Sequence, residues 1–582
     1  MVREVKEKII QCINEDTSFV LEAGAGAGKT HTLMETLNYI QSEFKHSKVS
    51  QPTILCITYT NIAKNEIRER TKHIQGIKIN TLHEFLWDFI NQFQLELKKA
   101  IIDMIEEDKN KIIDEIGKAE RLIERPRKNT NVEQKKLDLE KNKAKLIKYN
   151  TCKLDKIRYE GYRALYKGVI SHKDIINISI RFLKENTFAN LFINGFTHIF
   201  IDEFQDTNKD ILLQLMDTIK LHKKEKYLVI GLFGDRMQQI YSGQALDIDY
   251  NYYQYEVIPK LDNYRSCKEI ILANNILRND GLHQEHKNQD IKYEKLDFIF
   301  NVNKDDMYLK QHLGGNLGGY QRLFLNHREI AEEVGFINIS RVFTEEYKNL
   351  TNDKLLKRED TFLDFLMETV LPMAANYLAG NHQLLLKNLN RDSFGLADLT
   401  NLNKELNKIF NTEKQLRTML EGLINKNIVS NKKVNGIIKE YAELDKAEFI
   451  DQLLEIQLQE YLNLYRQINN ETRLQTLHGV KGDEFDKVVI NIRHQQSWNQ
   501  YNFDSLFMEG FNGTVSNQNA HKLFYVACTR AKSALIINYI SEAKDEVLIK
   551  AVCSKIQELF GNFITTYVYE SDMIIYNSEQ FV

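Results

Sequence analysis

Residues Ala23-Gly24-Ala25-Gly26-Ala27-Gly28-Lys29-Thr30 follow the apolar run Phe19, Val20 and Leu21, and no other stretch limits the possible folds so tightly. A strand that ends in alternating glycine and alanine, then Lys-Thr and a helix-like stretch from Thr32 to Ile40, predicts a phosphate-binding loop. Bare backbone N–H groups there curl around a triphosphate at a helix N-terminus. Lys29 would reach the β/γ-phosphates, and the Thr30 hydroxyl would hold Mg²⁺. Ala23 stands where the stricter motif has glycine, but that position needs only a small residue.

A chain of 582 residues exceeds the ~250–300 residues that one core usually supports, so several domains are expected. A net charge of −3 gives no global sign of a polyanionic partner, and any nucleic-acid site has to be a local groove. The six cysteines lie far apart, with no CxxC pair and no metal-site spacing, and read as thiols of a reducing cytosol. The first twenty residues hold no apolar signal core and no run of 18 apolar residues occurs, so the expectation is a soluble, cytoplasmic protein without a membrane partner.

From Ser18 to about Phe89 apolar strands alternate with polar helices. Thr53–Thr58 reads as a buried parallel strand, with a helix from Ile62 to His73 after it. From about Leu95 the text turns long, charged and helical, and Arg125–Arg158 holds 12 Lys/Arg against 4 Asp/Glu. This stretch is either a solvated helical hairpin or a basic face touching a nucleic-acid backbone. Strand runs return at His198–Asp202 and Tyr227–Gly234, both expected centrally in one sheet. Arg322–Leu325, Lys487–Asn491 and Ala534–Asn538 suggest a second α/β domain, interrupted from roughly Ser340 to Asn470 by helices.

Asp202-Glu203 closes an apolar strand about 170 residues after the phosphate loop, where nucleotide hydrolysis needs one carboxylate for Mg²⁺ and a second to deprotonate water. Asp202 is the candidate metal ligand and Glu203 the candidate base. The wording Ile201-Asp-Glu-Phe-Gln-Asp-Thr-Asn208 resembles the signature of superfamily 1 helicases of the UvrD/Rep kind. Further segments match in family order: Leu55–Asn61 with Ala63 and Arg68, Asn80–Phe85, Gly234–Tyr241, Leu261–Ser266, Gln475–Phe485 and Leu523–Lys532.

The resemblance implies two RecA-like parallel-sheet domains of an α/β P-loop NTPase, each with a mainly helical insertion. They would comprise residues 1–94 and 190–255 with insertion 95–189, and residues 256–340 and 471–582 with insertion 341–470. It implies ATP as the nucleotide. Gln238 would contact the γ-phosphate and attacking water, and Arg265 and Arg530, both from the second domain, would neutralise the transferring phosphoryl group. Planar guanidinium forks suit that charge-spread transition state. Tyr264 matches the aromatic that stacks on adenine, and Glu484 the carboxylate that binds the ribose. Thr58, Tyr59, Thr60, Asn61 and His83, with Thr476 and His478, match positions that touch single-stranded DNA, through short donors that position a strand without reading it.

After Ile240-Tyr241 the family continues with an aromatic, an arginine and Gly-Ala. This chain has Ser242-Gly-Gln-Ala245, one residue shorter and without the stacking aromatic. Either Tyr241 or a nearby tyrosine (Tyr250, Tyr252, Tyr253) substitutes, or the strand is gripped more loosely. The segment after Ser541 is too short for a nuclease domain. The resemblance implies ATP-dependent 3′–5′ translocation on single-stranded DNA and unwinding of single-strand/duplex junctions. The alternative is a DNA-stimulated ATPase, unwinding weakly, that regulates a separate nuclease in an anti-phage complex. DNA repair competes with defence as the biological setting.

Overall fold

The computed structural model describes residues 2–45, 53–126, 131–222, 228–240, 248–302, 307–381, 396–495, 497–498, 501–511, 514–541, 545–569 and 573–575. The chain forms two compact units, Met1–Arg265 with Arg278–Gln289, and Ser266–Leu277 with Asp290–Val582.

Six strands build the sheet of the first unit: β1 (Phe19–Ala23), β2 (Ile54–Thr58), β3 (Ile77–Thr81), β4 (His198–Asp202), β5 (Val229–Gly234) and β6 (Glu256–Lys260). Their order is β3-β2-β4-β5-β1-β6, and every pair is parallel. Strands β2, β4 and β5 are buried throughout, as expected of a parallel sheet covered on both faces. Successive side chains point to opposite faces. Val20 packs with Leu55 and the Leu82–Ile90 helix, whereas Phe19 and Leu21 join the core under helices Val2–Asn14 and Lys29–Lys45. The sheet runs on to Lys260, so a domain boundary at residue 255 falls short of its last strand. That strand, Glu-Val-Ile-Pro-Lys, has no continuous apolar run, and its proline is tolerated because β6 is an edge.

The charged stretch after Leu95 forms helices Gln94–Glu124 and Val132–Asn150. Asn142 donates to Glu115 at 3.3 Å, Lys143 pairs with Glu120 at 3.2 Å and Tyr149 donates to Asp108 at 3.0 Å. Tyr149, at the end of the second helix, thus meets residue 108, whereas Asn142 and Lys143, earlier on it, meet residues 115 and 120, which makes an antiparallel hairpin.

A two-residue ribbon, β7 (Asp262–Asn263) beside β8 (Glu285–His286), also belongs to the first unit. The second unit holds β9 (Lys295–Asn301), β10 (Gln321–Phe324), β11 (Leu474–Thr476), β12 (Phe485–Arg493), β13 (Ala531–Ile540), β14 (Thr565–Tyr569) and β15 (Met573–Ile575). The order is β11-β10-β12-β13-β9-β14-β15, parallel except for β15, which runs antiparallel to β14. Two parallel sheets of this kind, flanked by helices, are the RecA-like pair that the sequence implied. Between β10 and β11 the described chain is helical, and its apolar faces share one core with Phe343, Leu366, Leu420 and Tyr461. Among the described residues no helix is long and apolar enough to cross a membrane.

Candidate functional site

The phosphate loop leaves the C-terminal end of β1 and enters the helix Lys29–Lys45. Gly26 and Gly28 have φ of +72° and +78°, a region that side chains with a Cβ seldom adopt. Ala23, Ala25 and Ala27 are buried, which explains why small apolar residues alternate with the glycines. Thr32 N–H closes the first helical turn onto the Gly28 carbonyl at 3.0 Å, while Thr30 sits half-buried at the helix start. Lys29 Nζ lies 3.5 Å from the Ala23 carbonyl and 3.7 Å from Glu203.

β4 delivers the two carboxylates. Asp202 is buried, and its Oδ1 accepts the Glu203 N–H at 3.0 Å. Burial, then the neighbouring Glu203 charge, pushes the Asp202 carboxyl well above its ordinary range, against the pull of Lys29. Glu203 has φ of +50°, a strained backbone for a residue with a side chain. Its carboxylate accepts from Gln205 Nε2. Gln205 Oε1 in turn accepts the Asp235 N–H at 3.0 Å, and Asp235 Oδ2 accepts from Gln238 Nε2 at 2.8 Å. A continuous line of contacts therefore joins Lys29, Glu203, Gln205, Asp235 and Gln238. Beyond it, Arg278 Nη1 donates to both oxygens of Asp235, at 2.9 and 3.0 Å.

Arg265 and Tyr264 were expected on the second domain; both lie in the first unit. The reason is the β7–β8 ribbon, which is fastened to the phosphate loop. Asn263 Nδ2 and Gln284 Nε2 each donate to the Ala25 carbonyl at 3.0 Å, and Tyr264 N–H donates to the Gly26 carbonyl at 2.9 Å. Asn263 Oδ1 also accepts the Arg265 N–H at 2.9 Å, so one amide holds both the loop and the arginine backbone. Tyr264 is 42 % exposed.

In the second unit Arg530 is fully buried and turned inward. Its Nε donates to the Val526 carbonyl at 2.9 Å, Nη1 to the Asp483 carbonyl at 3.1 Å and Nη2 to Thr529 at 3.2 Å. Glu484, in the same unit, pairs with Lys532 at 2.6 Å.

A family model of the UvrD/REP helicase N-terminal domain matches residues 3–250. The chain is 25 % identical to the Gabija protein GajB of Bacillus cereus (strain HuB5-5), over 95 % of this chain and 96 % of that protein. It is 23 % identical to a probable DNA helicase II homolog of Mycoplasma capricolum, over 97 % and 89 % of the two chains. It is 22 % identical to the ATP-dependent DNA helicase PcrA of Staphylococcus aureus (strain MRSA252), over 91 % and 82 %. Residues 3–250 thus match the UvrD/REP helicase N-terminal domain, and the chain is similar to members of that family over nearly its whole length.

The donor set around Asp202 suits Mg²⁺. Two adjacent carboxylates, one of them buried and resisting ionisation, ask for a cation, and a hydroxyl lies at Thr30. Among the described residues no cluster of three His, Cys, Asp or Glu could cage a metal, and Mg²⁺ is usually held by one or two carboxylates together with substrate phosphates.

The candidate strand contacts divide by unit. In the first, Thr58 is buried with its hydroxyl donating to the Thr60 carbonyl at 3.2 Å. Thr60 caps the helix Asn61–Arg70, Tyr59 is 45 % exposed and Asn61 is exposed. His83 packs edge-on to His172, with ring centroids 4.8 Å apart, and burial followed by that neighbour lowers its pKa. In the second, Thr476 Oγ1 accepts the Gly479 N–H at 3.0 Å, and His478 Nε2 lies 2.8 Å from the Tyr501 hydroxyl. Tyr241 and Ser242–Ala245 lie outside the described residues. Of the tyrosines suggested as stacking substitutes, Tyr250 is buried with Arg236 above its ring, and Lys220 sits 2.9 Å over Tyr252. Tyr253 spends its hydroxyl on Asp217 at 2.8 Å.

The residues that motif reading passed over are Gln205, Asp235, Asn263, Gln284 and Arg278. The first three stand inside matched segments without an assigned role. Gln284 and Arg278 stand in no motif, and only their contacts reveal them.

Proposed function

We propose that the chain is an ATP-dependent motor that translocates 3′ to 5′ on single-stranded DNA and separates duplex ahead of it. The observation that carries this reading is the line of contacts from Lys29 to Gln238. It brings a phosphate-loop lysine, a carboxylate base and an amide together at the carboxyl ends of adjacent parallel strands, on a chain similar to members of the UvrD/REP family. Lys29 neutralises the β/γ-phosphates. Glu203 takes the proton of the attacking water, and Gln238 orients that water against the γ-phosphate. Arg265, its backbone fixed beside the loop by Asn263, offers charge to the transferring phosphoryl group, and Arg530 is the remaining arginine of that assignment. Thr30 and Asp202 would hold Mg²⁺, which when bound supplies charge neutralisation at the phosphates. Tyr264 stacks on the base and Glu484 binds the ribose.

In this reading the two parallel-sheet units are the motor domains, each carrying a mainly helical insertion, 95–189 in the first and 341–470 in the second. Thr58, Tyr59, Thr60, Asn61 and His83, together with Thr476 and His478, hold the strand. The decisive experiment measures ATP hydrolysis with and without single-stranded DNA, single-stranded RNA and duplex, beside strand displacement from 3′ and 5′ overhangs. Hydrolysis stimulated by single-stranded DNA, with displacement from a 3′ overhang, is expected. Stimulation with no displacement on any overhang would remove the unwinding claim.

A second reading is favoured by the relative named Gabija protein GajB, which matches across nearly its whole length. Here the motor is the DNA-stimulated ATPase of an anti-phage complex and regulates a separate nuclease. Loss of phage resistance in the Lys29→Ala strain, with no change in survival of ultraviolet damage, would favour defence over repair.

A further inference from the structure

Arg278 is a buried cation with a costly address. Its side chain is 3 % exposed and that of Asp235 is 0 % exposed. Taking such a pair out of water costs several kcal/mol per ion before their attraction is counted, so a buried pair is weak evidence of a purely stabilising role. The contacts of Asp235 are more informative. Oδ1 accepts the Met237 N–H at 3.1 Å and Oδ2 accepts Gln238 Nε2 at 2.8 Å. The guanidinium is steadied from behind by Asp280, which accepts from Nε at 3.0 Å and from Nη2 at 2.7 Å.

We propose that Arg278 is a positioning residue for ATP hydrolysis, acting through Asp235 to fix which end of the Gln238 amide faces the nucleotide. The inference rests on the hydrolysis reading above. A primary amide has a donor end and an acceptor end, and an ionised carboxylate can only accept. While Asp235 is ionised, the amide nitrogen of Gln238 must face it, and Oε1 points the other way. An acceptor there takes a hydrogen from water and turns the water's lone pair toward phosphorus. A protonated Asp235 could instead donate to Oε1, letting the amide turn over and present its NH₂ to the phosphate, the wrong polarity for aligning water.

Arg278 is what keeps the first state. Burial would raise the Asp235 carboxyl, but the Arg278 charge, and then Lys29 at longer range, hold it below its ordinary value. Two neutral amides, the Met237 backbone N–H and the Gln238 side chain, also donate to the Asp235 carboxylate.

The test is steady-state ATP hydrolysis by the full chain with saturating single-stranded DNA, resolved into kcat and KM. Arg278→Met should lower kcat by ~10-fold or more while KM for ATP stays within about threefold, since only alignment in the transition state is lost. Arg278→Lys, which keeps the charge but not the fork, should fall between Met and wild type. Should Arg278→Met not fold, the double variant Arg278→Met/Asp235→Asn removes both charges together and avoids a lone buried ion. It should melt near the wild type yet keep the low kcat, and be no slower than Asp235→Asn alone. A double variant within about twofold of wild-type kcat, or a rise in KM at unchanged kcat, overturns the proposal. A wild-type chain that hydrolyses no ATP overturns the proposal and the function together. Normal wild-type hydrolysis with indifferent Arg278 variants overturns the proposal alone.

Discussion

Gln284 closes over Gly24: a Cβ placed at residue 24 would come within 2.6 Å of Gln284 Oε1 and 2.7 Å of its Nε2. That same Nε2 donates to the Ala25 carbonyl at 3.0 Å. Gly24→Ala therefore has to push Gln284 away and strip the loop of one amide donor, a loss of about 1 kcal/mol that raises KM for ATP roughly fivefold. Gln284→Ala should do the same, and the double variant should be no worse than either, because both remove one shared contact. Full additivity in KM would show that the two residues act separately.

Removing the catalytic carboxylate should separate binding from cleavage. Glu203→Gln keeps the shape beside Lys29 but cannot take a proton, so turnover should fall by roughly 10²–10⁴-fold with nucleotide still bound. Lys29→Ala should lose both, through weaker phosphate binding. Fluorescent-nucleotide titration beside a phosphate-release assay distinguishes them, and near-normal turnover in Glu203→Gln would remove Glu203 from the role of base.

The sheet of the first unit leaves no room at Gly231. A Cβ there would meet Phe19 Cζ and Phe200 Cδ1 at 2.7 Å each, and both rings are already packed edge to face with Phe233. Gly231→Ala should destabilise the first unit by about 1–3 kcal/mol. The urea midpoint should drop with an unchanged m value, and an unmoved midpoint would mean that the strands can spread at no cost.

Acid should weaken the first unit through His198. Burial lowers its pKa from 6.5 to about 4, so between those values the unfolded chain binds a proton that the folded chain refuses. Stability is complete above about pH 6.5 and falls as the pH drops toward 4, by roughly 2 kcal/mol at pH 5. His198→Asn keeps a partner for the Thr197 hydroxyl, which lies 2.9 Å from Nδ1, and cannot titrate. The drop in melting temperature from pH 7.5 to pH 5 should be smaller in this variant, and equal drops would assign the acid sensitivity elsewhere.

How much could be read beforehand follows from where the information sits. The phosphate loop, the strand runs at Ile54, His198 and Val229, and the long helical stretches are local patterns, so periodicity and small-residue spacing reveal them. Edge strands escaped because they lack such patterns: Leu474–Thr476 has three residues, and Glu256–Lys260 alternates exposed and buried positions around a proline. Arg278 escaped for a different reason, since an arginine at a helix end ordinarily signals solvent. Its burial depends on Asp235, 43 residues earlier in the chain. Gln284 and Ala25 are 259 residues apart, and no spacing rule connects them. The assignment of Arg265 to the second domain failed because a two-residue ribbon, too short to leave a sequence pattern, ties it to the loop.

The chain leaves the first unit after Arg265 and re-enters it from Arg278 to Gln289. This interleaving makes the first unit an unsuitable cassette for transplantation or truncation. A fragment ended at residue 265 keeps every signature of nucleotide binding up to that point, yet discards the counter-charge of Asp235 and one of the two amides on Ala25. Domain shuffling among related motors would have to exchange both stretches at once, and gene fragments sampled by recombination would seldom do so.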